Sequence, residues 1–177
     1  YMGAAYPLIM HDKYFDITVT KYRAFYIALC IYAVLMVLAV LVDVLPTPGI
    51  AYLTRYYQAD AGAVISASHN TVEYNGIKFF DKNGCKLPDA VEDRIEEIIR
   101  NGEPNMKFPV GDRVGRPVRQ RNAQRRYIDF VKETTGVRLD GLHIVVDCAQ
   151  GASSMVAPTA LSELGAVVSA YYHEPDG

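Results

Sequence analysis

A hydroxyl, an imidazole and an amine lie close together in A-V-I-S-A-S-H-N-T-V-E-Y-N-G-I-K-F-F, residues 63–80. Ser68 carries an oxygen of the kind that covalent catalysis uses. His69, beside it, can exchange a proton near neutral pH. Lys78 can neutralise a developing oxyanion, or act as a base if its pKa falls. Asn70 suits a role in loop geometry and Ser66 a local hydrogen bond. The same residue types also make ordinary surface turns, so composition alone leaves both readings open.

Chemistry at such a loop needs rigid supports on both sides. The apolar run Ala63–Ile65 predicts a strand entering the loop, and Asn75-Gly76 predicts a turn that returns the chain into a second strand, Ile77–Phe80. Asn83-Gly84 predicts a tight hairpin turn after that strand. Upstream, Pro46, Pro48 and Gly49 read as a turn, and Ile50–Tyr57 has helical spacing. Downstream, Pro88 and Asp89 open a helix whose apolar face is Val91, Ile95, Ile98 and Ile99, with Asn101-Gly102 ending it. Residues 103–118 show no sustained period and read as a linker. Its arginines and those that follow (Arg113, Arg116, Arg119, Arg121, Arg125 and Arg126) read as a solvated, ion-paired face rather than a nucleic-acid contact.

Ala123, Tyr127, Phe130 and Val131 give the next helix its apolar stripe. From there the pattern is strand (Leu142–Val146), compact loop (Asp147–Gly151), helix (Pro158–Leu164) and strand (Ala166–Tyr171). That order predicts a βαβ unit with parallel strands.

With 177 residues and a net charge of −2, the chain can bury one good core or two small ones, and its charge offers no general affinity for a polyanion. Cys30, Cys85 and Cys148 are far apart and match no metal or disulfide spacing, which fits a reducing compartment. Residues 24–42 lack any formal charge and are mostly apolar. Two readings fit them: a membrane span, or a buried helix (Tyr22–Leu38) followed by a core strand (Ala39–Val44) rich in valine.

S-A-S-H-N at 66–70, Glu73 and N-G-I-K-F-F at 75–80, with L-P-T-P-G at 45–49 before them and D-K-N-G-C-K-L at 81–87 after, resemble the active-site serine segment of the alpha-D-phosphohexomutases. D-C-A-Q-G-A at 147–152 resembles the opening of that family's second domain, with Gln150 where asparagine is usual. Thr71 stands where proline usually follows the S-H-N triplet, which removes some rigidity from the loop.

The resemblance implies an α/β fold in which residues 1–122 form a mixed-sheet first domain, divergent or incomplete, and residues 123–177 carry a linking helix and the first βαβ part of a similar second domain. It implies that Ser68 carries the transferred phosphoryl group, with His69 and Lys78 assisting. The implied substrate is a hexosamine phosphate: glucosamine 6-phosphate and glucosamine 1-phosphate interconvert through a bisphosphate, in the cytoplasm, for cell-wall precursor synthesis. Magnesium is implied too, bound to the Ser68 phosphate and to three aspartates of a D-G-D-x-D-R segment that this sequence does not contain. The family's opening G-T-D-G and G-R-D-T-R segments are also missing before Ala24.

The 177 residues by themselves are therefore expected to be inactive, with unfinished sheet edges. The competing readings are a mutase of mannose or glucose phosphates, and a non-catalytic chain anchored in a membrane through residues 24–42.

Overall fold

The computed structural model describes residues 6–11, 38–70, 74–103, 108–111 and 114–174. Five strands form one sheet: β1 (Tyr6–His11), β2 (Leu38–Leu41), β3 (Ala61–Ile65), β4 (Ile77–Asp81) and β5 (Arg116–Arg119), in the spatial order β4-β3-β1-β2-β5. β1 pairs antiparallel with both β2 and β3, so β2 and β3 run the same way. β5 is parallel to β2, and β4 is antiparallel to β3. Five strand ends therefore gather at one edge of the sheet: the exits of β2, β3 and β5 and the entries to β1 and β4.

Among the described residues the helices are α1 (Thr47–Tyr56), α2 (Asp89–Asn101), α3 (Ala123–Glu133) and α4 (Ala157–Glu163). α1 begins three residues before the predicted Ile50, so Pro48 and Gly49 belong to its first turn rather than to a preceding loop. Proline is tolerated there because the first N–H groups of a helix have no intrahelical partner. Ile50 and Leu53 from α1 are fully buried, and with Leu45, Val42 and Val64 they form the centre of the core. α2 spans Asp89–Asn101, as the sequence predicts, and buries Ile95 and Ile98, whereas Ile99 is exposed. In the turn after β4, Gly84 has φ +73°, and a Cβ there would stand 2.4 Å from the Ala51 carbonyl oxygen, so glycine is required on both grounds.

The second sheet has two strands, β6 (His143–Asp147) and β7 (Val167–Tyr171), parallel and joined through α4. This is the predicted βαβ unit. It does not stand apart: Val156 and Ala160 share one hydrophobic cluster with Ile50, Leu53, Tyr127 and Ile128. α3 is the common wall, stacking Phe130 on Tyr52 with ring centroids 4.0 Å apart.

Polar contacts reinforce the α3–α4 seam. Arg125 pairs with Glu163 at 2.5 Å and also with Asp129, while Lys132 reaches Glu163 and Asp129. These cations hold the Glu163 carboxyl down from its ordinary value near 4.5 to about 2, hydrogen bonds from Arg125 being the largest cause and those from Lys132 the next. A depressed carboxylate pKa gives stability above the unfolded value that is lost as pH falls through the folded one. The melting-temperature difference between the parent chain and Glu163→Gln should therefore be full above about pH 4.5 and shrink towards zero near pH 2. An unchanged difference across that interval would remove Glu163 from the seam.

Three features depart from the sequence reading. Residues 116–119, inside and just beyond the predicted linker, form β5; R-P-V-R has no apolar alternation, and all four residues are exposed. Residues 6–11, which match no expected element, supply the strand between β2 and β3. The predicted core strand Ala39–Val44 is seen as Leu38–Leu41, while the helix expected over Tyr22–Leu38 lies almost wholly outside the described residues. Among the described residues no helix is long and apolar enough to cross a membrane.

Asp43, two residues past β2, has φ +59° and accepts from Arg119 Nε with both carboxylate oxygens, at 2.9 and 3.0 Å. Asp43→Gly and Asp43→Ala both remove this ion pair but differ in the backbone. The glycine variant should be more stable by about 1 kcal/mol, the cost of holding alanine in the left-handed region. Urea midpoints check this, and equal midpoints would show that the residue relaxes out of that conformation.

Candidate active site

β3 and β4 pair with Ile65 opposite Ile77, and the pairing extends one step further through Ser66 N–H, which donates to the Gly76 carbonyl at 2.8 Å. The loop that leaves this step carries Ser68, His69 and Asn70, all exposed. Ser68 has φ +63°, a left-handed conformation uncommon for a residue with a side chain. Its N–H donates to Ser66 Oγ at 3.1 Å, and Asn70 N–H donates to the Ala67 carbonyl at 3.3 Å. Ser66 makes the local side-chain hydrogen bond expected of it, whereas Asn70 contributes through its backbone N–H.

Ser68 Oγ lies 3.4 Å from His69 Nδ1, at the outer limit of a hydrogen bond. Lys78 is half-buried on β4 opposite Val64. Gly62 and Val64 share the sheet face that meets α1, as Gly62 abuts Thr54 and Ile50. Lys78, paired with Val64, therefore stands on that same face. The amino end of α1 is at the same edge of the sheet, because α1 follows directly from the exit of β2. A helix amino end and a lysine both favour negative charge there.

The serine loop lines neither of the two cavities described. One, of about 230 Å³, lies along the same edge where the two sheets meet, walled by Asp43, Arg119, Gln120, Arg121, Gln124 and Ser154 among others. The other, of about 310 Å³, lies at the opposite edge by Arg55, Asp60 and Lys82. Sequence reading missed the first cavity because Asp43 and Arg119 are 76 positions apart, and the parallel pairing of β2 with β5 alone brings them together.

Asp147 is the last residue of β6, and Gln150 lies in the turn that follows. Asp147 Oδ1 accepts a hydrogen bond from Ala149 N–H at 2.8 Å, and Ala149 and Gln150 both have positive φ. That carboxylate is spent on its own turn. Among the described residues no three His, Cys, Asp or Glu side chains come together to hold a metal ion. They do not make up a magnesium site.

With this geometry in view, the family model described as phosphoglucomutase/phosphomannomutase, alpha/beta/alpha domain I, matches residues 22–106. Phosphoglucosamine mutase from Ruminiclostridium cellulolyticum is 58% identical over 134 residues, and that from Thermoanaerobacter sp. (strain X514) is 56% identical over 136. Residues 22–106 belong to the phosphoglucomutase/phosphomannomutase family. The family match contains the whole serine loop, β3 and β4. A crystal structure of a phosphoglucomutase/phosphomannomutase family protein from Burkholderia thailandensis has the same fold over 76% of this chain, with a TM-score of 0.56 and 21% identity. The R. cellulolyticum alignment likewise takes in 76% of this chain, but only 30% of that relative. The chain thus spans about 30% of the length of the phosphohexomutases it resembles.

Proposed function

We propose that this stretch is the phosphoserine-bearing part of a phosphoglucosamine mutase, interconverting glucosamine 6-phosphate and glucosamine 1-phosphate. The observation that carries the reading is Ser68, held exposed in a left-handed conformation beside His69, in a segment matched by a family whose phosphoglucosamine-mutase members are more than half identical to this chain. In the first step a sugar hydroxyl oxygen attacks phosphorus on phosphorylated Ser68. The P–O bond to Ser68 Oγ breaks, and the proton lost by the sugar returns to that oxygen. Among the described residues His69 Nδ1, 3.4 Å from Ser68 Oγ, is placed to carry the proton, and Lys78 offsets charge on the transferring oxygens. After the bisphosphate turns over, Ser68 Oγ attacks its other phosphate and the steps run in reverse. Two displacements at one serine replace a single direct transfer between distant hydroxyls.

Residues 1–122 and 123–177 act in this proposal as the first domain, incomplete, and the start of the second. Glucosamine specificity is supported over mannose or glucose phosphates by the similar relatives, which are phosphoglucosamine mutases. A cytoplasmic setting belongs to the same reading. No step is assigned to magnesium, whose carboxylates would have to come from outside the described residues. The 177 residues alone should show no turnover in a coupled mutase assay.

The function is tested by replacing the matching stretch of the R. cellulolyticum enzyme with residues 45–177. The chimaera should convert glucosamine 6-phosphate and carry phosphate on the Ser68 peptide. A folded chimaera without turnover, or one phosphorylated elsewhere, would overturn the proposal.

A further inference from the structure

The sequence contains three Asn-Gly pairs in described segments: Asn75-Gly76, Asn83-Gly84 and Asn101-Gly102. In such a pair the glycine nitrogen, once deprotonated, can attack the asparagine side-chain carbonyl carbon. Ammonia leaves and a five-membered succinimide forms. Water then opens either carbonyl, giving aspartate or its β-linked isomer. No oxidant or enzyme is needed. The step does need the glycine N–H released from hydrogen bonding and the asparagine side chain free to swing over its own backbone.

The fold treats the three pairs differently. Asn83 donates from its backbone N–H to Asp81 Oδ1 at 2.8 Å and from Nδ2 to Asp81 Oδ2 at 3.1 Å. Gly84 N–H donates to the Asp81 carbonyl at 2.9 Å. Asn101 is the last residue of α2, and Gly102 N–H is tied to the Ile98 carbonyl at 2.8 Å. Asn75 is exposed, and neither its side chain nor the Gly76 N–H meets a hydrogen-bond partner among the described residues. Among the described residues Gly76 bonds through its carbonyl, which accepts from Ser66 N–H.

We propose that Asn75 is a spontaneous deamidation site, and that the fold protects Asn83 and Asn101 from the same reaction. The product places a new carboxylate one residue from the Ser66–Gly76 contact that anchors the serine loop. The β-linked isomer also lengthens the backbone at that point. The site therefore works as an ageing mark on the loop, whichever sugar phosphate the protein handles.

The test holds the 177-residue chain in warm, mildly alkaline buffer, once folded and once in concentrated urea, and maps peptides by mass spectrometry over time. In the folded chain the Asn75 peptide should gain aspartate and its β-linked isomer at least about tenfold faster than the Asn83 and Asn101 peptides, because each must first open hydrogen bonds. In urea the three rates should converge. Asn75→Gln should abolish the change at that peptide without altering the other two. Comparable rates at all three sites in the folded chain, or an Asn75 excess that persists undiminished in urea, would overturn the assignment.

Discussion

Ser68→Gly should abolish phosphoryl transfer while making the protein more stable. In the chimaera described above, loss of the oxygen proposed to carry the phosphoryl group should lower mutase turnover by about 10⁴-fold or more, the scale on which removing a covalent nucleophile acts. In the 177-residue chain the same substitution should raise unfolding free energy by about 1 kcal/mol, since glycine adopts φ near +60° without the penalty that a Cβ carries. The two effects have opposite signs because the hydroxyl is aimed outward by a backbone conformation that its own side chain disfavours. Strain of this kind persists at functional sites when the surrounding structure holds it in place. Here the holding contacts are Ser66 Oγ on the Ser68 N–H and the Gly76 carbonyl on the Ser66 N–H. Ser68→Ala separates the two contributions. It loses the oxygen but keeps the strain, so it should be equally inactive and no more stable than the parent. A Ser68→Gly protein no more stable than Ser68→Ala would show that the strain is absent.

The largest effect on stability is expected at Gly62. It is the second residue of β3, and a Cβ there would stand 2.1 Å from Thr54 Oγ1. Thr54 cannot simply turn away, because it is fully buried and its hydroxyl donates to the Ile50 carbonyl at 2.7 Å. Gly62→Val must therefore push α1 from the sheet or break that hydrogen bond inside the core. Overpacking costs about 1–3 kcal/mol, and an unsatisfied buried hydroxyl about as much again. For a chain of this size the sum corresponds to a fall in melting temperature of roughly 5–20 °C. β3 also carries the serine loop, so a displaced strand would disturb Ser68 even where the protein stays folded. A melting temperature within a degree or two of the parent would mean that α1 and β3 are less closely packed than described. Adding Thr54→Ala to Gly62→Val should recover part of the loss, because it removes the atom that the new side chain strikes.

The serine loop was legible in the sequence because its signals are local. Ala63–Ile65, Asn75-Gly76 and Ile77–Phe80 announce a strand, a turn and a strand within a few residues, and the structure pairs them in register. α2 was equally plain, with proline before it, acidic residues in its first turn and glycine after it. The contribution of β5 was hidden because R-P-V-R takes its place through parallel pairing with β2, which no periodicity in the strand itself reports. For the same reason the Asp43–Arg119 pair and the cavity beside it could not be read in advance. The early start of α1 was obscured by two prolines that elsewhere break helices but at a helix amino end fit its first turn. The roles of His69 and Lys78 rest on type and position. The structure adds the 3.4 Å approach of His69 to Ser68 and the sheet face on which Lys78 stands.

The single cluster that joins the two sheets bears on how the chain folds as it is made. Val40 and Ala160 belong to the same core although about 120 residues separate them. A ribosome adding about 5–20 residues per second needs roughly 6–24 s to cover that interval. For that time Ile50 and Leu53 are already in the emerging chain, while α3 and α4, which complete their cover, are still to be synthesised. The first sheet must wait with an open apolar side until the later helices arrive, so slower translation across residues 123–163 should prolong its exposure to chaperones rather than help it fold alone.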